Sequence, residues 1–118
     1  MRETMEGKVT QNYWLMVGAI DMPRTYGREA AIRKCHRAAY RWGYDWEEVV
    51  ARNRSRDMVE CRQIMAKYLR DQGWMLNAVG KFLGERDHST ALYSVRQAEH
   101  LLDYDKPFRA KYYEFMNA

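Results

Sequence analysis

The sequence predicts an all-α fold, a small helical domain containing a helix-turn-helix. Three observations carry that prediction. From Gly27 onward, apolar residues recur at three- and four-residue intervals, the spacing of one buried helix face. Only residues 13–22 have strand character, and no second such segment exists to pair with them. A short amphipathic stretch then leads through a tight connection into a longer one that opens on Arg86, Asp87, His88, Ser89 and Thr90, all polar. With 118 residues, 47% of them hydrophobic, the chain is sized for one packed core and is too apolar for wholesale disorder.

Residues 1–12 are polar and without period, the pattern of a mobile tail. Residues 13–22 form an apolar, β-capable stretch that ends at Pro23 and is expected to lie extended, as an arm, against the helical body. Ala31, Ile32, Cys35, Ala38, Ala39 and Trp42 make the buried face of the first helix, which Gly43 stops. Asp45 is placed to cap a short helix over 46–51 that presents Trp46, Val49 and Val50. The linker ARNRSRD, residues 51–57, carries Arg52, Arg54 and Arg56 at alternate positions.

Asp57 is placed to cap a helix over 57–71. Met58, Cys61, Ile64, Met65, Tyr68 and Leu69 form its inner stripe, with Arg62, Gln63, Lys67 and Arg70 on the flanks and outer surface. After a turn at Gln72-Gly73, Leu76, Val79, Phe82 and Leu83 mark a short helix that ends at Gly84. The next helix turns Ala91, Leu92, Val95, Ala98 and Leu102 inward until Tyr104-Asp105-Lys106-Pro107 breaks it. Phe108 to Phe115 is expected to pack back as a short aromatic helix. The chain thus divides into a tail and apolar arm (1–27), a helix-turn-helix domain (28–104) and a C-terminal aromatic segment packing on that domain (105–118).

Composition and motif spacing narrow the function. The formal charge of +4 permits a polyanionic partner without demanding one. The longest apolar run, Tyr13 to Ile20, is too short to span a bilayer and lacks the flanks of a signal peptide, so a cytoplasmic protein with no membrane partner is expected. Cys35 and Cys61 fall on apolar helix faces without a CxxC or HExxH pattern, which favours buried reduced thiols over a disulfide or a metal site. Gly80-Lys81 is not a phosphate-binding loop: six residues separate Gly73 from Gly80, and Phe82 stands where Ser or Thr is needed. No nucleotide and no other cofactor is expected.

Asp87, His88 and Ser89 are the side-chain types of a hydrolytic triad, but three consecutive residues at a helix start diverge, whereas triad members converge from separate elements. His36 and His100 have no ligand-spaced partners and read as ordinary surface residues. No catalytic residue and no metal ligand is assigned. A helix cap explains Asp87, which can accept from the backbone N–H of Ser89 or Thr90. It does not explain the rest of the cluster. Short donors and acceptors at a helix start also suit the major groove: Asp accepts from cytosine N4, His donates to base acceptors, and Ser or Thr bonds bases or phosphate. Residue types alone leave DNA and a protein partner both open.

RSRDMVECRQIMAKYL (54–69) followed by AVGKFLGERDHSTALYSVRQAEHL (78–101) resembles the C-terminal, box-binding domain family of the bacterial replication initiator DnaA. That family's pattern has a basic R-S-R loop, a helix containing R-Q, an I-G-x-x-F-G helix and the signature G-G-R-D-H-T-T-V-x-x-A. The preceding AAIRKCHRAAYRWGYDWEEVVARN (30–53) is similar to the family's two leading helices, so the resemblance covers about residues 28–104. It implies a DnaA C-terminal, Trp-repressor-like helix-turn-helix that binds double-stranded DNA. By the same resemblance Arg54 enters the minor groove, and Asp87, His88 and Ser89 face bases in the major groove. Arg62, Gln63, Arg70 and Thr90 lie along the phosphates, with Lys81 and Arg86 as further backbone contacts, and the place of Arg56 in the linker between two helices makes it a candidate phosphate contact.

Three departures from the family pattern point to a target other than the usual box. Glu85 replaces the second glycine, Ser89 lacks the methyl of Thr, and the turn at Gly73 is about one residue shorter. Only about 27 residues precede the resemblance, so no ATPase module is expected and the chain reads as a stand-alone DNA-binding protein, replication-associated or regulatory, of the kind a phage or mobile element encodes. The alternative is a non-enzymatic module that keeps the fold but binds a replication protein.

Overall fold

The computed structural model describes residues 21–117. Helix α1 spans Asp21–Arg41, α2 Trp46–Val50, α3 Arg56–Asp71, α4 Leu76–Phe82, α5 His88–Tyr104 and α6 Lys106–Asn117, with no strand among the described residues. Of the arm expected over 13–22, residues 13–20 lie outside the described residues. Asp21 and Met22 are helical, as is Pro23, which corrects both the extended reading there and a helix start at Gly27. The chain separates into two compact units, residues 1–33 and 34–118. Of the former only the first part of α1 is described; the latter holds the helices that build the site.

Helix α3 forms the centre, packing against α2, α4, α5 and α6. Its expected stripe, Met58, Cys61, Ile64, Met65, Tyr68 and Leu69, is buried throughout. The cap is one correction: Ser55, not Asp57, precedes the helix, and its hydroxyl accepts from the Met58 N–H at 3.4 Å, leaving Asp57 in the first turn. Arg62 and Gln63 are another, being 8% and 9% exposed rather than outward. Gly43 and Gly73 follow α1 and α3 at φ of 81° and 96°, left-handed values that let the chain turn sharply.

Two groups of large side chains join these helices. Phe108, Tyr112 and Phe115 of α6 are buried, and the Phe115 ring meets Tyr68 edge-on at 5.2 Å. Each fully buried aromatic of this kind stabilises the fold by about 1.5–3 kcal/mol. Asp105 caps α6 by accepting from the Phe108 N–H at 3.1 Å, while Arg109 returns to the Leu102 and Asp103 carbonyls at 2.8 and 3.1 Å. The second group holds the short helices. Phe82 of α4 lies 5.1 Å from Trp46 of α2 and 5.6 Å from Trp74, and His36 stacks on Trp46 at 4.0 Å. His36 is exposed, as expected of a surface histidine, but its ring rests on Trp46.

Cys35 and Cys61 are buried free thiols, as expected. Burial raises both above the usual thiol range, Cys61 to about 12, so neither is a nucleophile at neutral pH. Among the described residues no helix is long and apolar enough to cross a membrane, and no cluster of metal-ligating side chains forms.

Candidate nucleic-acid interface

The arginine-bearing loop between α2 and α3 has a defined shape because two guanidinium groups hold it. A helix of five residues ends in carbonyls with no intrahelical donor. Arg62, reaching back from α3, donates to the Val49 carbonyl at 2.8 Å, to Ala51 at 3.4 Å and to Asn53 at 2.6 Å. Arg86, from the turn before α5, donates to Val50 at 3.1 Å and Ala51 at 2.8 Å, and also to the Leu83 carbonyl. Asn53 then folds the loop by accepting from the Ser55 N–H at 2.8 Å. Burial, and after it the neighbouring guanidinium, lowers the pKa of Arg62. The planar five-donor fork suits this position as a lysine would not.

The turn from α4 to α5 is equally constrained. The Arg86 N–H donates to the Gly80 carbonyl at 2.8 Å, drawing α4 against the backbone that precedes α5. A Cβ at Gly80 would collide with the Arg86 carbonyl oxygen and come within 2.9 Å of its carbon and 3.1 Å of the Asp87 carbonyl oxygen. Only glycine fits. Glu85 occupies the left-handed region at φ 59°, alone in that among the described non-glycine residues. This is the position where the family pattern has glycine, and a side chain there costs on the order of 1 kcal/mol.

Asp87 caps α5, its Oδ1 accepting from the Thr90 N–H at 2.9 Å. Bonding from that N–H, and then from the Thr90 hydroxyl, holds the carboxyl below its ordinary value. It is ionised at neutral pH and its second oxygen can still accept. The cap and the cluster expected to face bases are thus one stretch: Asp87 orders the first turn, and His88, Ser89 and Thr90 stand exposed on it.

The arginine loop, α3 and the start of α5 meet in one groove of about 570 Å³. From the loop it is lined by Arg52, Asn53 and Arg54; from α3 by Val59, Arg62 and Gln63; from the turn and α5 by Glu85, Arg86, Asp87, Thr90, Tyr93 and Ser94. Of the expected base-reading residues, Arg54 and Asp87 share this groove, His88 lines a second one beside α4, and Ser89 is exposed but lines neither. Of the expected phosphate residues, Arg62, Gln63, Arg86 and Thr90 lie in the first groove and Arg70 in the second. Arg56 is exposed and pairs with Glu60 at 3.7 Å, and Lys81 is exposed on the last turn of α4. Arg70 also ties the following turn by donating to the Trp74 carbonyl at 2.8 Å.

Residues 38–98, just over half of the chain, match the model of the bacterial dnaA protein helix-turn-helix family. The chain belongs to that family. The matched span contains the arginine loop, both guanidinium staples and the capped start of α5. The helix-turn-helix of this family is a DNA-binding element. The chromosomal replication initiator protein DnaA of Bacteroides thetaiotaomicron is 35% identical over 66 residues, covering 53% of this chain and 14% of that protein. The chain thus corresponds to a small part of the length of this relative. No solved structure matches it.

Sequence reasoning missed Tyr93 and Ser94, which stand three and four residues after Thr90 and therefore on its face of α5. Helical spacing counted from Thr90 could have found them. It also missed that Arg62 and Arg86 are structural. No periodicity signals that, because their acceptors are backbone carbonyls distant in sequence.

Proposed function

We propose that this chain binds double-stranded DNA sequence-specifically, as a replication-associated or regulatory factor. One observation carries the reading: the Arg52–Arg54 loop and the capped start of α5 flank a single groove, held in register by two guanidinium staples, Arg62 buried and Arg86 half-buried. A duplex backbone following that groove would set Arg54 towards the minor groove and Asp87, His88 and Ser89 towards base edges in the adjacent major groove. The ionised Asp87 is suited to a cytosine amino group. Thr90, Arg56, Arg70 and Lys81 are placed for phosphates, with Gln63 at the wall of the groove. Arg62 and Arg86 act mainly by fixing the loop, their charges adding to the local potential.

The test is a titration by mobility shift with duplexes selected from a random pool, at low and moderate salt. Saturable binding that weakens with salt, and a relaxed sequence choice in His88→Ala, is the expected result; a good base contact is worth about 1–3 kcal/mol. Absence of duplex binding at low salt would overturn the reading. The protein-binding alternative, which the Glu85 charge in the groove favours, would then be pursued with replication proteins as probes.

A further inference from the structure

The last two turns of α1 carry a basic ridge on the side of α3 away from both grooves. Lys34 Nζ lies 6.0 Å from the Tyr68 ring centroid of α3 and donates to the Met116 carbonyl at 3.2 Å, and Trp42 lies 6.2 Å from Phe115. On α3, Tyr68 points roughly 140–180° away from Val59, Gln63 and Arg70, the residues that line the grooves. Cys35, Ala38 and Ala39 are buried, and Arg37 and Arg41 are exposed one turn apart. Tyr40, between them, is 83% exposed, more than any other large hydrophobic side chain among the described residues. Neither arginine has an ion pair among the described residues, and residues 34–41 include no acid. Like charges four residues apart weaken a helix. The helix dipole favours Arg41 in the last turn but not Arg37 a turn earlier. Burial lowers the pKa of Lys34, and the charges of Arg37 and then Arg41 lower it further, the mark of an uncompensated positive field.

We propose that Arg37, Tyr40 and Arg41 form a second, sequence-independent phosphate-binding site that holds the backbone of another duplex segment, so that one molecule bridges two. The inference goes beyond the groove reading, which engages a single duplex. Two helix thicknesses, on the order of 20 Å, separate the ridge from the grooves, so a straight duplex lying there cannot reach it. The side chains are of the types that bond DNA phosphates: two guanidinium forks and a phenolic hydroxyl. Four residues of helix place the forks about 6 Å apart along α1, a spacing that lets them take neighbouring phosphates of one strand. Lys34 adds its charge from beneath. Nothing on the ridge is short and amide-bearing or acidic, as a reader of base edges would be, so the contact carries no sequence choice. A bilayer fits less well, because Tyr40 stands alone among these polar groups where an interfacial helix needs an apolar face.

The experiment uses the full chain on an immobilised duplex carrying tandem copies of the site it selects from a random pool. A fluorescent second duplex of unrelated sequence is then offered at low salt, and its retention is measured per protein molecule bound. The wild type should retain it. Arg37→Glu with Arg41→Glu should lower retention about tenfold or more, by removing two phosphate contacts, while affinity for the selected site stays within about twofold. Circular dichroism checks the fold, and Arg37→Gln with Arg41→Gln supplies the same comparison if charge reversal disturbs it. A wild type that retains no second duplex, or retention unchanged in the double variants, overturns the inference and leaves the groove reading standing. Binding to phosphatidylglycerol vesicles that the double variants lose, without duplex retention, assigns the ridge to a bilayer and also overturns it. If no duplex can be selected, the groove reading fails by itself. The unrelated duplex is then titrated directly: low-salt binding that the double variants abolish supports the ridge, and binding that survives them overturns it.

Discussion

Replacing Gly80 by alanine separates two physical accounts of the same helix, because they predict opposite signs. On helix propensity alone the change should stabilise α4 by up to about 1 kcal/mol. The structure predicts the reverse. The new methyl would meet the Arg86 carbonyl oxygen, with the carbonyl carbon at 2.9 Å and the Asp87 carbonyl oxygen at 3.1 Å. These are backbone atoms that cannot rotate away. Relief requires α4 to move from the turn before α5, at an overpacking cost of about 1–3 kcal/mol. That movement also stretches the 2.8 Å bond from the Arg86 N–H to the Gly80 carbonyl, adding roughly 1 kcal/mol.

After the propensity gain is subtracted, a net loss of about 1–3 kcal/mol remains, which for a domain of this size lowers Tm by roughly 5–20 °C. Thermal unfolding followed by far-UV circular dichroism reads it directly. Gly27 is the control: it is helical in α1 and an added Cβ would meet nothing within 4 Å, so Gly27→Ala should not lower Tm. A Gly80→Ala protein melting at or above wild type would refute the close approach as the reason for glycine there.

Arg62→Met should lower stability by about 2–4 kcal/mol in urea, because the carbonyls of Val49, Ala51 and Asn53 lose their donor. Arg56→Met, at an exposed pair, should stay within about 0.5 kcal/mol of wild type, and equal effects of the two would show that Arg62 is no staple. Glu85→Gly should leave Tm nearly unchanged, since relief of the φ 59° strain is offset by the freer unfolded chain. On the proposed reading it should also tighten duplex binding about two- to fivefold at low salt, by removing a negative charge from the groove; unchanged affinity at every salt concentration would count against that groove as the DNA path. His36 has its pKa lowered from 6.5 by burial, so in acid the unfolded chain takes up its proton first. Stability from this group is present above about pH 6.5 and falls as the pH drops through that value towards the lower folded one. His36→Phe, which keeps an aromatic ring on Trp46, should flatten that slope in Tm-versus-pH measurements, and an identical slope would exclude His36 as its source.

The helices of the domain and the stripe through α3 are written in the sequence alone. Apolar recurrence at three and four residues is a property of one segment, read without knowing its neighbours. The start of α5 is legible in the same way. Asp87, His88, Ser89 and Thr90 are contiguous, so both their cap and their exposure follow from helix geometry alone. Local pattern placed residues 21–23 and Asp57 less well, since a short apolar stretch fits a helix as readily as a strand, and Ser55 and Asp57 are both competent caps two residues apart.

What the arginines do is settled by packing in three dimensions. Arg54, Arg62 and Arg86 are one residue type with one charge, and spacing treats them alike. The fold leaves the C-terminal carbonyls of α2 without helical partners, and it brings α3 and the turn before α5 within reach of them. Two arginines therefore become staples, and Arg54 is left exposed on the loop they hold. The same holds for Gly80, whose need for glycine comes from the Arg86 backbone across the turn. Contacts between segments distant in the chain are set by packing, and no local pattern encodes them.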